Sequence, residues 1–279
     1  MIFYFSSTGN TRWAVKRLAG ITGEKTAFIP DLLAGEKTCV CELAAGEPLG
    51  FAFPVHGWRP PKIVREFIKR LHINLADGKT PVSPYTYALF TAGDDVGLTL
   101  DYLLSAMREN ASFADHGITK LDSVFSLLMP ETYVGLPFMD VDNDVNEKRK
   151  ITESSERIKH IAEVINNRVT GVRELDESHF PWINSVVLGA FFEHFLVTDK
   201  PFHVVENRCL RCGICAASCP VDNIEWKKGV LPQWKHSGRC LACFNCYHHC
   251  PEHAVEYGRR TKNKGQYFFG RKNRKIKSQ

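Results

Sequence analysis

The chain has 279 residues, of which 44% are hydrophobic and 24% charged, with a formal net charge of +5 at pH 7. That balance excludes a disordered or collagen-like chain, and the length accommodates two domains of about 100–200 residues each. The positive charge is concentrated: residues 259–279 hold nine Lys/Arg and no acid, leaving 27 basic against 31 acidic residues, a net of −4, in the rest.

Met1-Ile2-Phe3-Tyr4-Phe5 lacks the basic and small-residue flanks of a targeting peptide and reads as a first, buried strand. A hydroxyl-rich loop follows, Ser6-Ser7-Thr8-Gly9-Asn10-Thr11. Trp13, Val15, Leu18 and Ala19 then recur at helical spacing. Further strand-like apolar runs occupy 26–29, 49–55, 85–91 and 123–129. Helical patterns lie between them at 61–71, with prolines at its start, and at 98–108. Strands alternating with helices predict a parallel sheet covered on both faces. A long helix is expected over 143–168, with Ile151, Ile158, Ile161, Ala162 and Ile165 on one side. Residues 171–205 read as a bridge containing an apolar helix at 182–196. The apolar stretch 180–192 ends at Glu193 and His194, short of the roughly 20 residues that span a bilayer, so no membrane insertion is expected.

The ten cysteines are unevenly spread. Cys39 and Cys41 alternate along one strand and are expected as free thiols without a metal. The other eight form a duplication: Cys209-x₂-Cys212-x₂-Cys215-x₃-Cys219-Pro220, then Cys240-x₂-Cys243-x₂-Cys246-x₃-Cys250-Pro251. Three thiolates within seven residues wrap one face of a cubane when the loop is tight and its N–H groups point at the sulfides. Structural zinc is the alternative, but it favours paired C-x₂-C knuckles rather than a third cysteine and Cys-Pro, twice. The repeat resembles the bacterial two-cluster ferredoxins. That resemblance implies crossed ligation of two [4Fe–4S] clusters: Cys209, Cys212, Cys215 and Cys250 hold one, and Cys240, Cys243, Cys246 and Cys219 the other. Phe244 and Tyr247 are expected to shield a cluster. His248 and His249 either tune it or only fill the loop.

The loop Ser6–Thr11 could be a plain helix cap. It also resembles the flavodoxin phosphate loop, [ST]-x-T-G-x-T, matched at Ser6, Thr8, Gly9 and Thr11. That chemistry needs small hydroxyl residues and a glycine, so that a phosphate can meet backbone N–H groups at a helix start. A Walker loop is excluded for want of Gly-Lys-[ST]. Two more loops follow strands where ligands bind open parallel sheets: Pro54-Val55-His56-Gly57-Trp58 and Thr91-Ala92-Gly93-Asp94. With Ser7 and Asn10 of the first loop, they complete a predicted FMN site. Trp58 and Tyr133 are candidates to stack on the flavin, and 129–133 borders the same place.

Taken together, the chain resembles flavodoxin–ferredoxin fusion proteins. The resemblance implies an α/β flavodoxin-like, doubly wound, five-stranded sheet over 1–170 and the bridge 171–205. A small α+β two-cluster ferredoxin domain follows over 206–258, then a basic tail over 259–279. It implies electron transfer between FMN and two [4Fe–4S] clusters, joining two-electron to one-electron redox partners. No side chain is required as nucleophile or base. A flavin-dependent reductase of a small substrate, and a plain ferredoxin-type carrier with an empty flavodoxin domain, are the alternatives. The partners expected are redox proteins and not nucleic acid: the basic tail with Tyr267, Phe268 and Phe269 is expected to lie along the acidic body or to dock a negatively charged redox partner, and a nucleic-acid-gripping redox sensor is the alternative. The eight thiols call for a reducing, cytoplasmic location.

Overall fold

The computed structural model describes residues 1–35, 38–44, 46–75 and 83–271. Its central sheet has six parallel strands: β1 (Ile2–Tyr4), β2 (Thr26–Phe28), β3 (Leu49–Pro54), β4 (Thr86–Ala92), β5 (Ser123–Leu128) and β6 (Val172–Glu174). Their spatial order is β2-β1-β3-β4-β5-β6. The first five give the 2-1-3-4-5 order of the flavodoxin-like doubly wound fold. The sixth, edge strand extends the five-stranded expectation and comes from the predicted bridge. It is held by Gly171 N–H donating to Asp122 O at 2.7 Å, and by Asp176, whose carboxylate meets Ser126 Oγ at 2.7 Å and Arg157 at 3.0 Å.

Four main helices cover the sheet: α1 (Asn10–Thr22), α2 (Lys62–Arg70), α3 (Thr99–Arg108) and α4 (Asp144–Asn166). Alternate strand residues point to opposite faces. Ile2, Ala52, Tyr87, Leu89 and Phe125 meet Val15 and Leu18 of α1 and Ile158, Ile161 and Ile165 of α4. Phe3, Phe51, Phe53 and Phe90 meet Ile63 and Phe67 of α2 and Leu103 and Met107 of α3. Both faces are therefore apolar, which is why these strands read as continuous apolar runs. α4 starts where Asn143 Oδ1 accepts from Asn146 N at 2.9 Å, with Asp144 and Glu147 at the positive end of the helix dipole. Cys39 and Cys41 both lie buried on the strand Cys39–Leu43, which pairs in parallel with Leu71–Leu75, and burial raises the Cys41 thiol to about 11.

The second module is built from two antiparallel pairs, Phe202–Val204 with Val255–Tyr257 and Ile224–Glu225 with Gln233–Trp234. Phe202, also from the predicted bridge, stacks on Trp234 at 5.5 Å and packs against Phe244 and Tyr257. The short helices Ile214–Ala217 and Asn245–His248 follow the cysteine loops. What remains of the bridge carries a helix over 183–196, wound with π geometry at Ile183–Leu188 and Phe192–Leu196. It is pinned by Arg59, which reaches Glu193 at 2.7 Å and Ser185 O at 2.9 Å.

The described part of the basic C-terminal segment, residues 259–271, packs along the rest of the chain. Thr261, Gln266 and Tyr267 are buried, and residues 259–271 form a strap between the two modules. Residues 272–279 lie outside the described residues. Among the described residues no helix is long and apolar enough to cross a membrane.

Candidate functional site

The three loops predicted from sequence converge at the carboxyl ends of β1, β3 and β4. They wall one cavity of about 740 Å³, a size typical of a ligand site. Ser6, Ser7, Thr8, Asn10, Thr11, Pro54, Val55, His56, Gly57, Trp58, Thr91, Ala92, Gly93 and Asp94 all line it. Of the predicted set only Gly9 does not. It caps α1 at φ +100°, and a Cβ there would stand 3.0 Å from Cβ of Phe269, so glycine is required by both conformation and space.

The hydroxyl end of the cavity suits an anion. The first turn of α1 holds no acid, and its free N–H groups open onto the loop. Thr11 Oγ1 lies 2.8 Å from Thr91 Oγ1, fastening the first loop to the end of β4. Asn10 is fully engaged: its amide donates to Pro130 O at 2.9 Å, and its oxygen accepts from Tyr267 Oη at 2.8 Å. Ser6 Oγ is buried without a hydrogen-bond partner. An orphaned hydroxyl beside a helix start is the donor that a phosphate group would satisfy, so these residues fit the terminal phosphate of FMN.

Further in, His56 and Arg59 close a tight turn through their backbones at 3.0 and 3.3 Å. Burial holds the His56 ring well below its ordinary value, at about 4, so it is neutral at pH 7. Trp58 sits in the left-handed region at φ 58°, and its indole N–H donates to Asp95 at 3.0 Å. Burial, opposed by that bond, raises the Asp95 carboxyl. Glu131, raised by burial, accepts the N–H groups of Thr132 and Tyr133 at 2.7 Å each. Lys150 holds the third loop by donating to Gly93 O at 2.8 Å and Asp142 at 2.7 Å. Tyr133 lines the cavity edge-on to Phe192 and Phe244, with its hydroxyl buried and unpartnered.

The cysteines separate into two quartets. Cys209, Cys212, Cys215 and Cys250 surround one small cavity, and Cys219, Cys240, Cys243 and Cys246 surround another. This is the grouping that crossed ligation requires, with the last cysteine of each repeat joining the other repeat. Left-handed residues, Arg211 and Gly213 in the first loop and Ala242 and Phe244 in the second, bend the backbone around the thiols. Arg211 N–H and Ala242 N–H each donate to a thiol sulfur, at 3.4 Å. Burial raises Cys215 to about 11 and Cys240 to about 12, a cost that a positively charged iron core offsets by holding thiolates. Among the described residues no group of three or more His, Cys, Asp or Glu side chains closes tightly enough for one metal ion. Each quartet surrounds its own small cavity.

Several contacts were not legible in the sequence. Ala242 and Cys243 of the second quartet's loop form part of the wall of the 740 Å³ cavity. His248, expected as a tuner or a filler, is a buried strut. Its Nε2 meets Thr132 O at 2.7 Å and its Nδ1 accepts Tyr267 N–H at 3.2 Å, while burial lowers it to about 3. That bonding assigns the Nε2–H tautomer. The strap adds Phe269 N–H to Thr8 O at 2.7 Å and a ring stack of Phe269 on Trp13 at 5.0 Å. Gln266 Nε2 donates to Cys250 O at 2.9 Å. The aromatic triplet 267–269 was the sequence signal for the strap.

No curated protein matches this chain. A solved structure from Bacteroides uniformis ATCC 8492, described provisionally as a flavoprotein, is similar at 15% identity with a TM-score of 0.30, over 39% of this chain and 83% of its own. Residues 203–251 match the family model described as a 4Fe-4S dicluster domain, so the second module is an iron–sulfur domain of the ferredoxin type.

Proposed function

We propose that this protein passes electrons between FMN in the large cavity and two [4Fe–4S] clusters held by the cysteine quartets. One observation carries the reading: Cys243, of the second quartet, lines the same cavity as the hydroxyl-rich loop. FMN supplies two-electron chemistry divisible into single steps, and each cluster supplies one-electron exchange. The roles of the chain's own residues follow. Ser6, Ser7, Thr8 and Thr11 with the start of α1 hold the phosphate. Trp58, fixed by Asp95, and Tyr133 flank the ring. His56, kept neutral by burial, adds no charge there. Phe244 and Tyr247, both buried, keep water from the second quartet. The partners proposed are redox proteins, in a reducing compartment that preserves the thiolates.

The test is a cofactor inventory on anaerobically purified protein: flavin, iron and acid-labile sulfide per chain. Iron and sulfide without flavin would leave a plain ferredoxin-type carrier. Neither cofactor would end the reading.

A second reading, a reductase acting on a small substrate, has its own support. The cavity extends beyond the three loops to an apolar wall of Leu136, Phe138, Met139, Leu188, Phe191 and Leu196. Turnover with a defined organic acceptor separates the two.

A further inference from the structure

A second cavity, of about 580 Å³, lies where the two modules meet. That volume is within the range of small-molecule sites. Ser6 and Ser7 line it on one side, Cys219 and Pro220 on the other, so it borders the hydroxyl-rich loop and the second quartet alike. Three cations stand on its walls: Arg12 of α1, Lys62 of α2, and Arg239 just before Cys240. None of them forms an ion pair among the described residues. Two of the three acids beside them are already held, Glu66 by Arg70 at 3.0 Å and Asp222 by Lys235 at 2.7 Å, which leaves Asp31 against three cations. His249, lowered by burial, adds no charge. Lys62 and Ile63 open α2, whose first turn holds no acid, so the positive end of that helix borders the same space. Asn245 is an independent sign. It is 6% exposed, its amide is spent on Ser218 O, and its Oδ1 is buried without a hydrogen-bond partner. Asn245 stands between this cavity and that of the second quartet. Iron-bound thiolates on the quartet's side accept and do not donate, so the missing N–H or O–H comes from this side. Phe28, Leu33, Val221 and Leu241 add apolar surface, with the Arg12 guanidinium 5.2 Å from the centre of the Phe28 ring.

We propose that this cavity binds a nucleoside phosphate, its phosphate on Arg12, Lys62 and Arg239 and a hydroxyl or amino group of its nucleoside on Asn245 Oδ1. A bare anion leaves Asn245 and the apolar surface without partners. An uncharged nucleoside leaves the three cations unmatched. One molecule that carries an anion, a donor and an unsaturated ring satisfies the whole wall. The proposal goes beyond the function given above and does not depend on it, because none of these four side chains is assigned to FMN or to a cluster.

The experiment is calorimetric titration of the full-length holoprotein in the presence of excess FMN, with adenosine monophosphate, adenosine and inorganic phosphate as separate probes. Adenosine monophosphate is expected to bind at one site per chain, about tenfold or more tighter than either fragment, and more weakly as salt is raised. Lys62→Ala and Arg239→Ala should each weaken it about tenfold, the effect of losing one charge-assisted contact. Lys159→Ala, on the exposed side of α4, should change nothing. Lys62 and Arg239 are both exposed, so neither substitution opens a hole in a core. No binding of adenosine monophosphate, inorganic phosphate bound as tightly as the nucleotide, or an affinity untouched by both substitutions would each overturn the proposal. So would displacement of the nucleotide by added FMN, which would put the probe in the large cavity instead. Flavin, iron and sulfide, measured on every preparation, report failure of the function proposed above separately from these outcomes.

Discussion

Replacing Tyr267 with Phe removes one oxygen from the strap and tests whether the strap organises the phosphate loop. Tyr267 and Asn10 are 3% and 8% exposed, and the hydroxyl is 2.8 Å from Asn10 Oδ1. The lost hydrogen bond leaves a buried amide oxygen without its partner, a cost of about 1–3 kcal/mol. The ring still fills its site, so no cavity term is added. Asn10 keeps its bond to Pro130 O, but the loop loses its tie to the cluster module on that side. At the centre of that range, about 2 kcal/mol, melting should fall by about 4–8 °C, since a chain of this size loses about 2–4 °C per kcal/mol. If the strap preorganises the loop, most of this cost is met again on binding, and FMN affinity should fall about tenfold for each 1.4 kcal/mol. The assay is flavin-fluorescence titration of the apoprotein, paired with thermal melting of the same preparation. A variant that melts lower yet binds FMN as tightly as the parent would refute the link and leave the strap a purely structural tie.

Gly9→Ala places a Cβ at φ +100° and 3.0 Å from Phe269, so it should loosen the strap and weaken FMN binding together, by more than the roughly 1 kcal/mol that backbone strain alone costs. His56 is lowered from 6.5 to about 4 by burial, so its contribution to stability is complete above pH 6.5 and is lost as pH falls toward 4. The loss is at most about 3 kcal/mol. Urea unfolding of the apoprotein across that range should show the slope, and His56→Gln should flatten it. Cys250→Ser and Cys219→Ser should each remove about half of the iron. Under crossed ligation, Cys250→Ser should spare the cluster of the second repeat and Cys219→Ser that of the first, as read by the surviving spectroscopic signal. Loss of the cluster in the variant's own repeat would sink the pairing. Arg59→Ala should release Ser185 O and one side of Glu193, whose other oxygen Arg65 keeps, and should expose the 183–196 helix to limited proteolysis more than Arg65→Ala does, because only Arg59 reaches both residues.

The legible parts of this protein are those where chemistry is local. Continuous apolar runs in β3, β4 and β5 announce strands buried on both faces, because helices cover each side. The loop Ser6–Thr11 was readable because a phosphate cradle needs small hydroxyl residues and a glycine within a few positions of a helix start. The strand β6 was not readable. Three residues carry no period, and its place at the sheet edge depends on Asp176 meeting Ser126 and Arg157 across the fold. The partners of the strap were not readable for a related reason. Its lysines and arginines suggested the acidic body or a negatively charged redox partner, but Lys264 donates to backbone oxygens of Val134, Leu136 and Met139, while Tyr267 and Gln266 turn inward.

By itself the sequence determined the doubly wound sheet, the loops at its carboxyl edge and the eight thiols, since each follows from short-range spacing of residue types. Only the tertiary structure decided which cysteine repeat faces the large cavity, which faces solvent, and that the basic C-terminal segment ties the two modules together. Those relations join residues more than a hundred positions apart, such as His248 with Thr132 and Tyr267 with Asn10. Contacts of that range are set by how two separately folded surfaces fit, and no local pattern in the chain encodes the fit.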